Sequence, residues 1–79
     1  MNIRYEKNAV KYIEKLDKPS KLRLKEAIEC LPNGDVKKLS GYENDYRLRV
    51  GKLRVLFSIE DDTIYIKDID SRGQIYKRI

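Results

Sequence analysis

Histidine is absent from this chain and cysteine occurs once. Without histidine there is no histidine acid–base pair and no Ser-His-Asp triad, and with a single thiol there is no zinc site of the Cys/His kind. The lone Cys30 also permits no internal disulfide. Its position beside Leu31 in an apolar helical stretch predicts a buried thiol that acts as a small hydrophobe. No apolar run approaches the roughly 18 residues of a membrane-spanning helix, and Met1-Asn2-Ile3-Arg4-Tyr5-Glu6 lacks the apolar block of a signal peptide. The expectation is a soluble, cytoplasmic chain without a membrane partner. There is no glycine-rich phosphate loop, which removes nucleotide hydrolysis of the P-loop kind. Asp61-Asp62 and the Asp68/Asp70 pair are weak candidates for a metal, since the first falls where a hairpin turn is expected and Asp serves turns for backbone reasons. Neither metal nor cofactor is expected.

What is present is a short, charged chain. At 79 residues it buries only about 60% of the surface its unfolded form exposes, so residues 1–79 are read as a single domain. Apolar residues make up 41% and charged residues 39%, with a mean hydropathy of -0.70, enough for a small core in a globular protein. The formal net charge of +5 and a pI near 9.4 point to a polyanionic partner, because clustered Lys and Arg attract phosphates and release counterions. A solvated basic surface fits the same totals, and the placement of the charges decides between them.

Ile3-Arg4-Tyr5 alternates as a short strand, and Asn8 is suited to cap a helix. Ala9, Ile13 and Leu16 then recur at helical spacing, predicting an amphipathic helix over roughly 9–17. Asp17-Lys18-Pro19-Ser20 breaks it, and Pro19 suits the first turn of a second helix whose buried stripe is Leu24, Ala27, Ile28 and Leu31. Pro32-Asn33-Gly34-Asp35 ends this helix, so the pair forms a helical hairpin. Tyr46, Leu48 and Val50 alternate with Arg47 and Arg49, and Gly51-Lys52 is a turn. The next strand runs from Leu53, with Val55, Phe57 and Ile59 on one face and Arg54, Leu56 and Ser58 on the other, until Glu60-Asp61-Asp62 turns the chain. A third strand passes through Ile64, Tyr65 and Ile66. The expected architecture is α+β: an N-terminal strand, a two-helix hairpin, then a three-strand antiparallel meander, with the helices on one face of the sheet.

If the helices cover the face of Leu48, Val50, Val55 and Phe57, then Arg47, Arg49 and Arg54 project from the opposite, open face. Arginine suits phosphate, because its planar fork donates paired hydrogen bonds and keeps its charge at every relevant pH. An ordinary solvated face is the alternative, and it would favour acidic neighbours across the strands. Between Asn44 and Phe57 the only acidic residue is Asp45, so the binding reading is preferred. Asp70-Ser71-Arg72-Gly73-Gln74-Ile75-Tyr76-Lys77-Arg78 adds another arginine and then a tyrosine among cations. Tyr76 is a candidate acid or base, since nearby guanidiniums favour the phenolate; packing of the ring on the sheet is the competing role.

Leu39-Ser40-Gly41-Tyr42, the run from Tyr46 to Phe57, and Ile69-Asp70-Ser71-Arg72-Gly73-Gln74-Ile75-Tyr76-Lys77 together resemble the RelE branch of the RelE/ParE superfamily. The resemblance spans nearly the whole chain, and its most specific part is Tyr46–Phe57 followed at the right interval by Arg72 and Tyr76. It implies a toxin of a type II toxin–antitoxin system that cleaves mRNA, typically in the ribosomal A site, without a metal. In that scheme the 2′-hydroxyl attacks the neighbouring phosphate. Arg47, Arg49, Arg54 and Arg72 hold the RNA and its developing charge, and Tyr76 transfers a proton or stacks. Lys37, Lys38, Lys52, Lys77 and Arg78 are read as further RNA-binding cations. The implied partners are a cognate antitoxin, mRNA and the ribosome. The best-studied relatives carry lysines at the positions of Arg47 and Arg49, and an arginine does not act as a general base. The same superfamily includes ParE-like inhibitors of DNA gyrase, and a non-catalytic RNA- or partner-binding module is a third alternative.

Overall fold

The computed structural model describes residues 2–39 and 44–71. Strand β1 spans Asn2–Tyr5, and helix α1 follows at once over Lys7–Glu14. The helix therefore begins and ends earlier than its apolar spacing predicts, and Asn8 lies inside it, not at its cap. The cause is strand pairing. The Glu6 N–H donates to the Ile66 carbonyl at 2.8 Å, so β1 keeps its partner up to the last extended residue and the helix must start directly after it. Ala9 is buried, with Tyr12, Ile13 and Leu16 packed beside it.

Helix α2 spans Lys18–Glu29 and carries Pro19 in its first turn, as expected. Leu24, Ile28 and Leu31 are buried along one stripe, and Ala27 packs at its edge. Cys30, expected to be buried, is exposed. It lies two residues from Ile28, about 200° round a helix, which carries its thiol away from the stripe.

The remaining strands are β2 (Val36–Lys38), β3 (Asp45–Val50), β4 (Leu53–Glu60) and β5 (Thr63–Asp70). β2 was not anticipated. Three residues give too short an alternation to read, and β2 is defined by its pairing with β3, where Val36 faces Leu48 and Lys37 faces Arg47. Gly34 leads into it at φ +119, a conformation L side chains rarely adopt, and an added Cβ would sit 3.3 Å from Leu48 Cδ1. The other turns are as expected: Gly51 takes φ +59, and Asp61 adopts φ 55, a left-handed value that Asp tolerates.

The sheet is five-stranded, in the order β1-β5-β4-β3-β2, with β1 parallel to β5 and the other pairs antiparallel. The meander of β3, β4 and β5 is thus extended at both edges. Both helices pack on one face. The core joins Ala9, Leu24, Ile28 and Leu31 to Leu48, Val55, Phe57, Ile64, Ile66 and Ile69. Tyr46 stacks on Phe57 across the strands, with ring centroids 5.5 Å apart and an interplanar angle of 19°. This is the α+β arrangement expected from the order of the elements. Among the described residues no helix is long and apolar enough to cross a membrane.

Candidate nucleic-acid interface

Once Leu48, Val55 and Phe57 are committed to the core, alternation along each strand assigns their neighbours to the other face. The register then sets these neighbours in rows across the sheet. One row runs Lys37, Arg47, Leu56, Asp68. A second runs Arg49, Arg54, Asp70. A third runs Asp45, Ser58, Tyr65, Arg4. The structure therefore brings Arg47, Arg49 and Arg54 together on the face that the helices leave uncovered. Arg49 and Arg54 stand directly opposite one another, a pairing of like charges that is unfavourable by itself and is relieved by an anion between them.

Two expectations about this face need correction. It is not open throughout, since Leu56 at 0% and Ser58 at 1% exposure are fully buried at its middle, with Asp68 and Asp70 nearly so. Nor are the arginines without acidic neighbours. Arg54 faces Asp70 across β4 and β5, and Arg47 Nη1 lies 3.9 Å from Asp35 Oδ1. The stretch Asn44–Phe57 holds only Asp45, whereas antiparallel pairing and the turn before β2 bring in Asp70 and Asp35 from outside it. Arg47 nonetheless has a side chain only 15% exposed, and its buried Nη1 has no hydrogen-bond acceptor among the described residues. Asp35 is too far away to serve, and at 63% exposure it is a weak ionic partner. A buried guanidinium donor left unsatisfied is unfavourable in the free protein and receptive to a phosphate oxygen.

Between the first and third rows the β4–β5 register shifts, with Leu56 opposite Asp68 and Phe57 opposite Ile66. Lys67 is the extra residue at this β-bulge. Its Nζ donates to Asp45 Oδ1 at 3.0 Å. Asp45 is on β3, two strands away, about 10 Å at ordinary sheet spacing, so the lysine crosses above β4 beside Ser58. At the same irregularity the Ile69 N–H donates to Asp68 Oδ1 at 2.8 Å, giving that backbone group a partner where the ladder is disrupted.

Of the lysines read as RNA contacts, Lys37 is exposed on the arginine face next to Arg47. Lys38 is opposite Tyr46 and so belongs by alternation to the other face. Lys52 is exposed in the β3–β4 turn, away from the rows. Arg72, Tyr76, Lys77 and Arg78 lie outside the described residues. Sequence reasoning missed Lys67, Arg4 and Arg23. The guanidinium of Arg23 lies close to Gly51, with Nη1 3.9 Å from where a Cβ on that glycine would stand. An exposed arginine on α2 carries no sequence signal for this placement. Lys67 had one, because Ile64, Ile66 and Ile69 break the period of two at the bulge. Among the described residues no three His, Cys, Asp or Glu side chains gather as a metal site.

The helical side holds a groove of about 360 Å³ lined by the apolar Val10, Ile13, Leu24 and Ile28, by Tyr5, and by the charged Glu14, Lys21 and Lys25. Tyr5 is held above the usual phenol pKa, first by partial burial and then by the nearby charge of Glu29.

A five-stranded sheet with helices on one face and arginine-bearing rows on the other defines a small, basic α+β domain. Residues 3–76 match the model of the family described as the ParE toxin of the type II toxin–antitoxin system parDE. Toxin RelE3 of Methanocaldococcus jannaschii is 32% identical, in an alignment covering 96% of each chain. The RelB-RelE antitoxin–toxin complex from Methanococcus jannaschii superposes with a TM-score of 0.78 at 29% identity, over 96% of this chain and 98% of that one. The RelE-RelB complex from Pyrococcus horikoshii gives the same TM-score, 0.78, at 30% identity over 92% of this chain and 96% of its counterpart. The chain belongs to the RelE/ParE superfamily of type II toxin–antitoxin toxins.

Proposed function

We propose that this toxin is a metal-independent endoribonuclease that cuts mRNA on the ribosome in the cytoplasm and so inhibits translation. The observation that carries this reading is the register that gathers Arg47, Arg49 and Arg54 on the face free of helices, with a buried Arg47 donor unsatisfied. In the reaction the 2′-oxygen of the RNA attacks the adjacent phosphorus, the 5′-oxygen leaves with a proton, and a cyclic phosphate remains. The phosphorane gathers negative charge, and permanent cations held in place before the reaction stabilise it without reorganising. Arg47, Arg49, Arg54 and Arg72 supply those cations. Arginine cannot take up the 2′-hydroxyl proton, and Tyr76 is assigned to proton transfer or to stacking on a base. Lys37 extends the cationic surface along the RNA backbone.

The partner that restrains the toxin is a cognate antitoxin. The archaeal relatives of similar structure are RelB-RelE complexes. On this chain the groove, with an apolar floor of Val10, Ile13, Leu24 and Ile28 and with Lys21, Lys25 and Glu14 in its lining, fits an antitoxin segment with apolar anchors, one that folds as it binds.

A second reading is supported by the match to the ParE family model: a toxin that binds DNA gyrase. Induced expression in growing bacteria, with mapping of mRNA 5′ ends and a DNA-damage reporter, separates the two. Growth arrest with new cuts inside coding sequences is the expected result. DNA damage without cuts favours gyrase, and harmless expression favours a non-catalytic binding module. Arg54→Ala and Arg72→Ala are each expected to slow cleavage with the fold retained, and unchanged cleavage in both defeats the proposed site.

A further inference from the structure

The Asp45–Lys67 pair sits on the arginine face, yet neither residue belongs to the assigned cluster. Asp45 and Arg47 are both on β3 and point to the same side, separated by two residues, roughly 6.7 Å between Cα atoms in an extended strand. The Asp45 side chain is only 14% exposed, so its carboxylate is largely removed from water and requires a cation. Lys67 reaches it from the bulge, and Arg47 is the next cation along its own strand and face. The carboxylate is bonded to Lys67 at 3.0 Å. Among the described residues Arg47 keeps a buried Nη1 without an acceptor, and its one ionic neighbour is the distant Asp35.

We propose that Lys67 is a positioning residue that occupies Asp45 and thereby keeps the Arg47 guanidinium available for a phosphate of the RNA. The lysine acts through the carboxylate and does not itself touch the substrate. The bulge is integral to this arrangement, because the extra residue is what brings Lys67 onto the face beside Leu56 and Ser58. Without Lys67 the poorly hydrated carboxylate turns to the nearest remaining cation on its own strand, and an internal Arg47–Asp45 pair competes with RNA. This inference rests on the RNA-binding reading of the arginine face.

The test uses the full chain, with binding of a short single-stranded RNA measured beside the 15Nε resonance of Arg47. Lys67→Met is expected to weaken RNA binding about tenfold, the scale of one charge-assisted contact, and to shift the Arg47 resonance as Asp45 captures it. Adding Asp45→Asn to Lys67→Met is expected to restore both affinity and resonance. Asp45→Asn alone is expected to raise RNA affinity, since it removes a carboxylate from the face. A double variant as weak as Lys67→Met overturns the proposal, because Lys67 then contacts RNA directly. Unchanged affinity and an unmoved Arg47 resonance in Lys67→Met overturn it as well. If Lys67→Met does not fold, the Asp45→Asn arm decides: an Arg47 resonance that moves in this variant sinks the idea, because Asp45 is then already engaged with the arginine while Lys67 is in place. Should the unaltered chain fail to bind RNA, the functional reading falls, while the Arg47 resonance still reports whether Lys67 keeps Asp45 off the arginine.

Discussion

The two faces of the sheet bury side chains for opposite reasons. Under the helices Leu48, Val55, Phe57, Ile64, Ile66 and Ile69 are closed off by other apolar groups, and every such contact lowers the free energy of the fold. On the other face burial falls on Leu56 and Ser58 among charged neighbours, including Arg47, whose buried Nη1 has no acceptor among the described residues. Like charges also stand opposite one another at Arg49 and Arg54. The first face makes the fold stable. The second holds local conflicts that a bound polyanion would resolve, the kind of conflict expected at functional or strained positions.

This contrast can be broken most forcefully from the core side. Phe57→Ala removes the largest fully buried side chain among the described residues and the stacking partner of Tyr46, and should cost about 3–5 kcal/mol. For so small a domain that is a large part of the total stability, and urea titration followed by circular dichroism will read it. From the other face Arg54→Ala should leave the denaturation midpoint nearly unchanged while slowing RNA cleavage by about 2 kcal/mol or more, roughly thirtyfold. A midpoint that falls as far as that of Phe57→Ala would erase the distinction between the faces. Gly34→Ala sharpens the boundary between them, since a Cβ at φ +119 meets Leu48 Cδ1 at 3.3 Å. A loss of about 1–3 kcal/mol in stability is expected, with cleavage per folded molecule unaltered. The smallest effect concerns Tyr5. Its pKa is raised above 10.0 in the folded chain, so the neutral phenol contributes stability that is present below that pH and lost as pH rises past it. Tyr5→Phe should therefore lose less stability than the unaltered chain as pH rises past 10.0 in paired urea titrations.

Much of this was legible in the chain. The alternation of Leu48 and Val50 with Arg47 and Arg49 assigned the arginines to one face before any coordinate was known, and the register bears that assignment out. Pro19 marked the start of the second helix for the same local reason. Other features escaped because their cause is not local. Cys30 was misplaced since burial depends on the helix's rotation about its axis, and neighbouring apolar letters do not report it. Strand β2 exists through its pairing with β3, and α1 starts at Lys7 because β1 is tied to β5. The acidic neighbours Asp35 and Asp70 reach the arginines through turns and pairing from distant parts of the chain.

Composition and short-range pattern alone determined that this is a basic α+β domain with a helical hairpin, a meander and an arginine-bearing face, because side-chain periodicity and turn chemistry are properties of consecutive residues. Only the tertiary structure decided which carboxylate meets which cation, that Lys67 crosses β4 to Asp45, and that Arg47 is left with a buried donor unsatisfied. Those outcomes depend on strand register and on one bulge in β5, and a single shift of register would exchange every pair on the face.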